Sequence, residues 1–526
     1  MKFTSSWLKE HININNHPSE ISMILTDLGL EVESFELINP SLMEMKVCEI
    51  EKINKHPNAD RLSLCKVSLG KESYHVVCGA KNLYEGMKTV FAPNGTYIPG
   101  KMFTLEKKSI RGVEGDGMLC SGEELCLSDD SEGIIDLKDL YEIGKSFGSY
   151  LEKNYLFEIG LTPNRGDCAS VKGIARELAA KLSKKLIKKK YLHEEKMFKS
   201  NIRWDLSNLL NKKDCPLIIG REFEIKNNPS SPSNIINKLV QIGIKPNSAL
   251  VDITNFILFD LGRPLHVFDL EKIEGNLKVR RASKGESFVG LDNKTYILSD
   301  EDLVIADDNK IVSLAGIMGS SNSCVDANTK KVFLEVAYLD QDLIANTGRR
   351  HNIITDARYR FERGIDKNGL LEGLDAATEM IKNQCNSSYS QVVIAGKNLE
   401  KNNPINYKVD SFKSVTGYDL AEKKQINYLE KLGFEINKQK SFFSITAPSW
   451  RHDIFDKNDI IEEIARLDGY DKIPFENLIE NNFLSEENIS LSKNIEIDLR
   501  ERLANLGLDE IKSFTFISPK KIIPES

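Results

Sequence analysis

The sequence predicts a multidomain α+β protein, and three observations carry that prediction. A chain of 526 residues is too long for one hydrophobic core and suggests three or four domains. One local pattern recurs at four places: an amphipathic helix, then Leu or Ile, a glycine, an apolar residue and often a strand. The runs are ILTDLGLEVE (24–33), KLVQIGIKP (238–246), YLEKLGFEI (428–436) and RLANLGLDEI (502–511). Between them, residues 40 to about 150 carry short β-rich runs such as RLSLCKVSLG, SYHVVCGA and KTVFAPNG, whose regular spacing suggests a small barrel.

Each element has a local reason. Gly29, Gly243, Gly433 and Gly507 can take the left-handed conformation that ends a helix, letting the following apolar residue fold back on the last turn. A shared helix stop explains the repetition more simply than internal duplication. The glycines of SIRGVEGDGMLCSGEELCL, at 112, 115, 117 and 122, lack the Lys-Ser/Thr helix start of a phosphate-cradling loop and read as tight turns in the barrel. Asp167 to Ser170 precede a strong helix, and the lysine-rich KKLIKKKYLHEEK reads as a solvated connection rather than an RNA contact. Residues 215 to about 395 alternate helices with strands, with a hairpin turning at Asp307 to Lys310. A compact helix–strand unit follows to Pro448, and a helical segment near 490–506 opens another module that looks cut short.

Composition limits the function classes. Hydrophobic content of 40% and charged content of 28% are those of a soluble globular protein. The charged start MKFTSSWLKEHI has no apolar signal core, and no apolar run suggests a membrane span, so a cytoplasmic location without membrane contact is expected. Nine scattered cysteines form no CxxC pair; they read as reduced thiols, with Cys120 and Cys126 expected in the core or in strands. A net charge of −7 excludes a surface that attracts nucleic acid everywhere but leaves room for local basic patches.

Four constellations could carry chemistry. In PSWRHDIFDKNDIIEEIARLDGY (448–470), Ile460, Ile461, Ile464 and Leu467 can face a core while Asp459, Glu462 and Glu463 share the opposite helix face. Either Asp459 or Asn458 caps the helix and the acids favour its dipole, or the three carboxylates and Asp453 hold magnesium through oxygen. In VFLEVAYLD, a strand would place Glu335 with Phe333 and Ala337 and put Val332, Leu334 and Val336 on the other face. Such an acid either lies at a solvated edge or must find a partner or shift its pKa. His266 in GRPLHVFDL is either a satisfied structural histidine or a catalytic group. Arg349, Arg350, Arg358, Arg360 and Arg363, near Tyr359 and Phe361, could grip phosphates and stack on bases, or pair internally with Asp356 and Glu362.

Taken in order, these segments resemble the β subunit of bacterial phenylalanine–tRNA ligase (phenylalanyl-tRNA synthetase), over essentially the whole chain but lacking the family's C-terminal part. HPNADRLSLCKV with IRGVEGDGMLCSGEEL is similar to that family's tRNA-binding oligonucleotide-binding barrel. LTPNRGDCASVKGIARELA resembles the segment after it. VDITNFILFDLGRPLHVFDL, LAGIMGS, VFLEVAYLD and RRHNIITDARYRFERGID resemble its editing region, and APSWRHDIFDKNDIIEEIARLDGYDKIP its magnesium-ligand segment. The resemblance implies an N-terminal α+β segment at 1–39, the barrel at 40–150, a continuation and linker at 151–200, and an α/β editing domain at 201–398. A winged-helix-like module at 399–475 and the start of a class II synthetase-like antiparallel-sheet module at 476–526 would follow.

It further implies that Asp453, Asp459, Glu462 and Glu463 bind Mg2+, with Asp456 a surface or capping acid. His266 and Glu335 would serve an editing pocket shaped by Asn255, Gly319, Thr355 and Ala357. The implied partners are an α subunit, in an (αβ)2 heterotetramer, and tRNA(Phe). The implied activity is ATP- and Mg2+-dependent charging of tRNA(Phe) with phenylalanine by the complex, whose synthetic site lies in the α subunit. Hydrolysis of mischarged Tyr-tRNA(Phe) would fall to this chain. The alternative is a non-catalytic tRNA-binding scaffold or a truncated inactive product. A DNA-binding reading of the 400–474 module rests on fold analogy alone.

Overall fold

The computed structural model describes residues 1–128, 130–137, 140–191, 197–209, 211–397, 399–475 and 490–516. The chain divides into a unit at 1–473 and a second at 474–526. In the second, the helix Leu491–Asn505 is capped by the Ser490 side chain. Residues 476–489 and 517–526, nearly half of the expected antiparallel-sheet module, lie outside the described residues.

The first unit opens with a three-stranded antiparallel sheet in which Tyr155–Gly160 lies between Lys2–Thr4 and Glu31–Leu37. The chain therefore leaves this sheet after Leu37 and returns to it at Tyr155, and Ile38 N–H donates to the Asn154 carbonyl at 2.9 Å. The excursion forms a five-stranded antiparallel sheet, ordered Gly117–Leu119, Lys88–Pro93, Lys46–Lys55, Ser63–Ser68, Ser73–Cys78. Its two edges curl together where Asp116 N–H donates to the His75 carbonyl at 2.8 Å. Two small apolar clusters, around Val47 and Val90 and around Ile50 and Val76, belong to this excursion alone.

Two further five-stranded sheets lie at the centre. In one, Lys331–Tyr338 is flanked by His266–Asp269 and Leu217–Glu224. Val332, Leu334 and Val336 join the core that includes the helices Ala249–Leu261 and Leu370–Cys385, while Phe333 and Ala337 join the core of the second sheet, with Val279, Val304 and Leu314. The alternation read from VFLEVAYLD thus divides the two cores. The expected hairpin is present, with Asp307 N–H bonded to the Lys310 carbonyl at 2.9 Å between Leu303–Ala306 and Ile311–Leu314. A third core gathers the antiparallel strands Ile405–Tyr407, Phe443–Thr446 and Glu435–Lys438 with the helix Lys457–Asp468.

The four glycines end their helices as expected. Gly29, Gly243, Gly433 and Gly507 all have positive φ, between 81° and 91°. The next residue's N–H returns to a carbonyl of the last turn: Leu30 to Leu25, Ile244 to Leu239, Phe434 to Leu429 and Leu508 to Leu503. Two expectations are corrected. Cys126 is only partly buried and takes φ 57°, outside any strand, whereas Cys120 is a core residue. The cap of Lys457–Asp468 is Asp456, not Asp459 or Asn458; Asp459, three residues on, closes a capping box by accepting from Asp456 N–H at 2.9 Å.

Candidate functional site

The site grows from the pairing of two strands. Gly262, at φ 70°, ends the helix Ala249–Leu261, and the Arg263–Pro264 turn delivers the chain into His266–Asp269. In the antiparallel register His266 faces Glu335 directly, so both side chains stand on the same face of the sheet. That is the face turned toward the second sheet. Glu335 is buried rather than at a solvated edge. Burial pushes its carboxyl up to about 8 and pulls the His266 imidazole down to about 4, because removing water disfavours either charged form. Near neutral pH the pair is an uncharged acid beside an uncharged ring.

The second sheet supplies the opposite wall. A Cβ on Gly319 would lie 2.2 Å from His266 Cε1, so glycine there leaves the imidazole its place. Phe268 packs edge-on against the ring at 4.5 Å between centroids. The His266 Nε2 is shielded from solvent and has no hydrogen-bond partner among the described residues, which leaves it for a ligand or a water. Thr355 caps the helix Asp356–Phe361, accepting from Arg358 N–H at 3.1 Å and donating to the Ile317 carbonyl at 2.9 Å. It thereby ties the first turn, with Ala357, to the segment that carries Gly319. Asn255 lies on the helix Ala249–Leu261, whose buried side chains belong to the core on the other face of the sheet. The structure thus joins His266, Glu335 and Gly319 directly, links the turn of Thr355 and Ala357 to them through the Thr355 hydroxyl, and leaves Asn255 apart.

The four acids of 453–463 do not fit a shared magnesium cradle. Glu463 does not share the exposed face with Asp459 and Glu462: it is 2% exposed and both its oxygens accept from Arg451 and Arg466. Asp453 accepts from Arg451 through both oxygens, at 2.8 and 2.9 Å. One Asp459 oxygen accepts the N–H groups of Phe455 and Asp456, and Glu462 is exposed. A cation would have to compete with two buried guanidiniums for half of its ligands. Among the described residues the group with converging ligand atoms is Asp167, Cys168 and Glu177, within 4.8 Å. It too is occupied, by Arg165 and Arg466. The spacing of the acids pointed to a shared face; Arg451, which folds over Glu463, comes from the turn before the helix. Only the i, i+3 pair Glu463–Arg466 was a local signal for it.

The arginine-rich run mostly pairs internally. Arg350 meets Glu301 and Asp302, Arg358 and Arg363 meet Glu362, and Arg360 is buried against Asp356 and the Ala169 carbonyl.

Three family models match: a tRNA binding domain at 45–146, a B3/4 domain at 214–386 and a tRNA synthetase B5 domain at 405–470. The chain is 39% identical over 98% of its length to the phenylalanine–tRNA ligase β subunit of Gluconobacter oxydans, covering 66% of that protein. To the same subunit of Rhodopseudomonas palustris it is 40% identical over 98% of its length, covering 64%. The chain belongs to the phenylalanine–tRNA ligase β-subunit family. It spans just under two thirds of the length of these family members. Among solved structures, an N-terminal fragment of the phenylalanyl-tRNA synthetase β-subunit from Pyrococcus horikoshii aligns at 17% identity over 63% of this chain and 90% of that one, with a TM-score of 0.32. Within the family frame, the B3/4 match contains the strands that carry His266, Glu335 and Gly319, and the B5 match contains the arginine-bound acids. No helix among the described residues is long and apolar enough to cross a membrane.

Proposed function

We propose that the chain acts as the β subunit of a cytoplasmic phenylalanine–tRNA ligase, binding tRNA(Phe), supporting an α subunit in an (αβ)2 heterotetramer, and hydrolysing tyrosine mischarged on that tRNA. The observation that carries the hydrolytic reading is buried Glu335 paired across the strands with half-buried His266, both uncharged, with Gly319 holding space beside the ring. A synthetic pocket made apolar for phenylalanine cannot strongly reject a side chain that only adds a hydroxyl. A second pocket can demand that hydroxyl instead. Protonated Glu335 can donate to the phenolic oxygen and accept from it, whereas phenylalanine would leave the buried carboxyl without a partner. His266, neutral and with Nε2 free, orients the ester or the attacking water; no nucleophile–base–acid triad is needed for that role. Thr355 and Ala357 complete the walls in this reading, while Asn255, on the helix behind the sheet, does not. ATP and Mg2+ serve the synthetic step in the α subunit.

The test is deacylation of Tyr-tRNA(Phe) and Phe-tRNA(Phe) by the purified chain. Glu335→Ala should cut the preference for the tyrosyl ester by roughly tenfold or more, and His266→Ala should slow its hydrolysis with folding retained by circular dichroism. Deacylation no faster than the uncatalysed reaction, or wild-type rates in both variants, would leave the scaffold reading.

A further inference from the structure

We propose that Phe333, laid across Gly220, is a positioning residue for recognition of the tyrosine hydroxyl: its ring closes one flank of Glu335 and keeps water from that carboxyl. The role rests on the hydrolytic reading of the His266–Glu335 pair. Gly220 stands in the middle of Leu217–Glu224, a strand paired on both sides, with Glu335 opposite it on one neighbour and Val393 on the other. Glycine forgoes side-chain packing at such a position and marks a close approach. Backbone conformation does not call for it, because Gly220 is not among the glycines with positive φ. The neighbouring ring does. A Cβ on Gly220 would lie 2.3 Å from Phe333 Cε1, 2.6 Å from its Cζ and 2.7 Å from the Leu334 carbonyl oxygen.

Opposed residues of an antiparallel pair carry their side chains on one face, with Cβ positions about 4.5–5.5 Å apart. The ring tip that fills the place of a side chain at Gly220 therefore stands beside Glu335, while His266 flanks the acid on the other side. Phe333 is fully buried and held there: Trp204 meets it edge-on at 5.5 Å between centroids, and Phe268 lies opposite it in the register. Among the described residues no cation or hydrogen-bond donor meets the Glu335 carboxyl, so exclusion of water alone holds its proton. Specificity depends on that dryness. With phenylalanine bound, a dry carboxyl has no partner and its cost counts against the correct product. A water reaching the carboxyl would remove that cost.

The test compares Phe333→Leu with Phe333→Met in the full chain, with folding checked by circular dichroism. The two replacements have nearly the same volume, but leucine ends at Cδ while methionine reaches Cε, the level of the ring atom over Gly220. Leucine therefore opens the flank and methionine spans it. Two quantities are followed: the Glu335 titration, by carboxyl-carbon NMR of glutamate-labelled protein with the signal identified by its loss in Glu335→Gln, and deacylation of Tyr-tRNA(Phe) and Phe-tRNA(Phe). Phe333→Leu should lower the Glu335 midpoint from about 8 to about 7 or below. It should also raise hydrolysis of the phenylalanyl ester roughly tenfold, with Phe333→Met near wild type in both. A side chain that only filled the core would give equal effects in the two variants and no gain toward the phenylalanyl ester. Failure of the wild-type chain to deacylate Tyr-tRNA(Phe) would end the hydrolytic reading, while the midpoints would still decide whether the ring keeps the carboxyl dry. An unchanged midpoint in folded Phe333→Leu, equal shifts in the two variants, or no gain toward the phenylalanyl ester in an active chain would overturn the proposal.

Discussion

Glu335 and His266 titrate in opposite directions from their ordinary values, and the signs differ in their consequences. The folded carboxyl holds its proton up to about 8, so between about 4.5 and 8 the folded chain binds a proton that the unfolded chain has lost. Its contribution is fully present at acid pH and declines as pH rises through that window. The folded imidazole loses its proton down to about 4, so its contribution is present above about 6.5 and lost as pH falls toward 4. Glu335→Gln, which cannot ionise, should therefore raise Tm relative to wild type at pH 9 more than at pH 6, by calorimetry at both values. Equal shifts at the two pH values would contradict the buried-acid account. Gly319→Ala puts a methyl 2.2 Å from His266 Cε1, and overpacking of this kind costs about 1–3 kcal/mol. The variant should lose tyrosyl-ester hydrolysis more than it loses folded population at 25 °C.

The helix Lys457–Asp468 contributes apolar residues to one core, and it also presents a buried acid to a guanidinium cluster. Glu463 binds Arg451 and Arg466, and Arg466 reaches Glu177 on the helix Val171–Leu182 and the Leu28 carbonyl. These bonds lock the 405–470 module onto the N-terminal segment. Removing one member strands buried charge, so Glu463→Gln should lower stability by about 3–5 kcal/mol, measured by urea unfolding. Glu462→Gln, on the exposed face, should change it by less than about 0.5 kcal/mol. If Glu463 instead served mainly as a metal ligand, Mg2+ would raise the wild-type Tm and the substitution would abolish that increment. At the helix start, Asp456→Ala should cost about 1 kcal/mol through loss of the capping box.

On the scale of the molecule, the 40–150 excursion is a self-contained insertion between neighbouring strands of one sheet. Its apolar clusters are separate from those around it, and its ends meet where Ile38 bonds to Asn154. Replacing residues 40–152 by a short glycine linker should leave the remaining cores folded, with near-native circular dichroism. Affinity for tRNA should fall, with a smaller salt dependence because fewer phosphates are neutralised. Unchanged tRNA affinity would place the RNA contacts outside the inserted sheet.

Local pattern was enough for the helix stops at Gly29, Gly243, Gly433 and Gly507, for the hairpin at Asp307–Lys310, and for the two faces of Val332–Ala337. Each depends on backbone conformation or side-chain period within a few residues, and the sequence alone determined them. The order of several long segments likewise determined the family. Tertiary structure decided which charges are free. Helical spacing alone puts Glu463 on a solvated face, because nothing within its own helix turn reveals that Arg451 folds over it. In the Arg358–Arg363 run, Asp356 and Glu362 are only candidate partners by spacing, and the fold makes them actual ones. Ion pairing and burial are set by groups brought together across the fold, so the chemistry of a carboxylate or guanidinium is fixed only once its distant neighbours are in place.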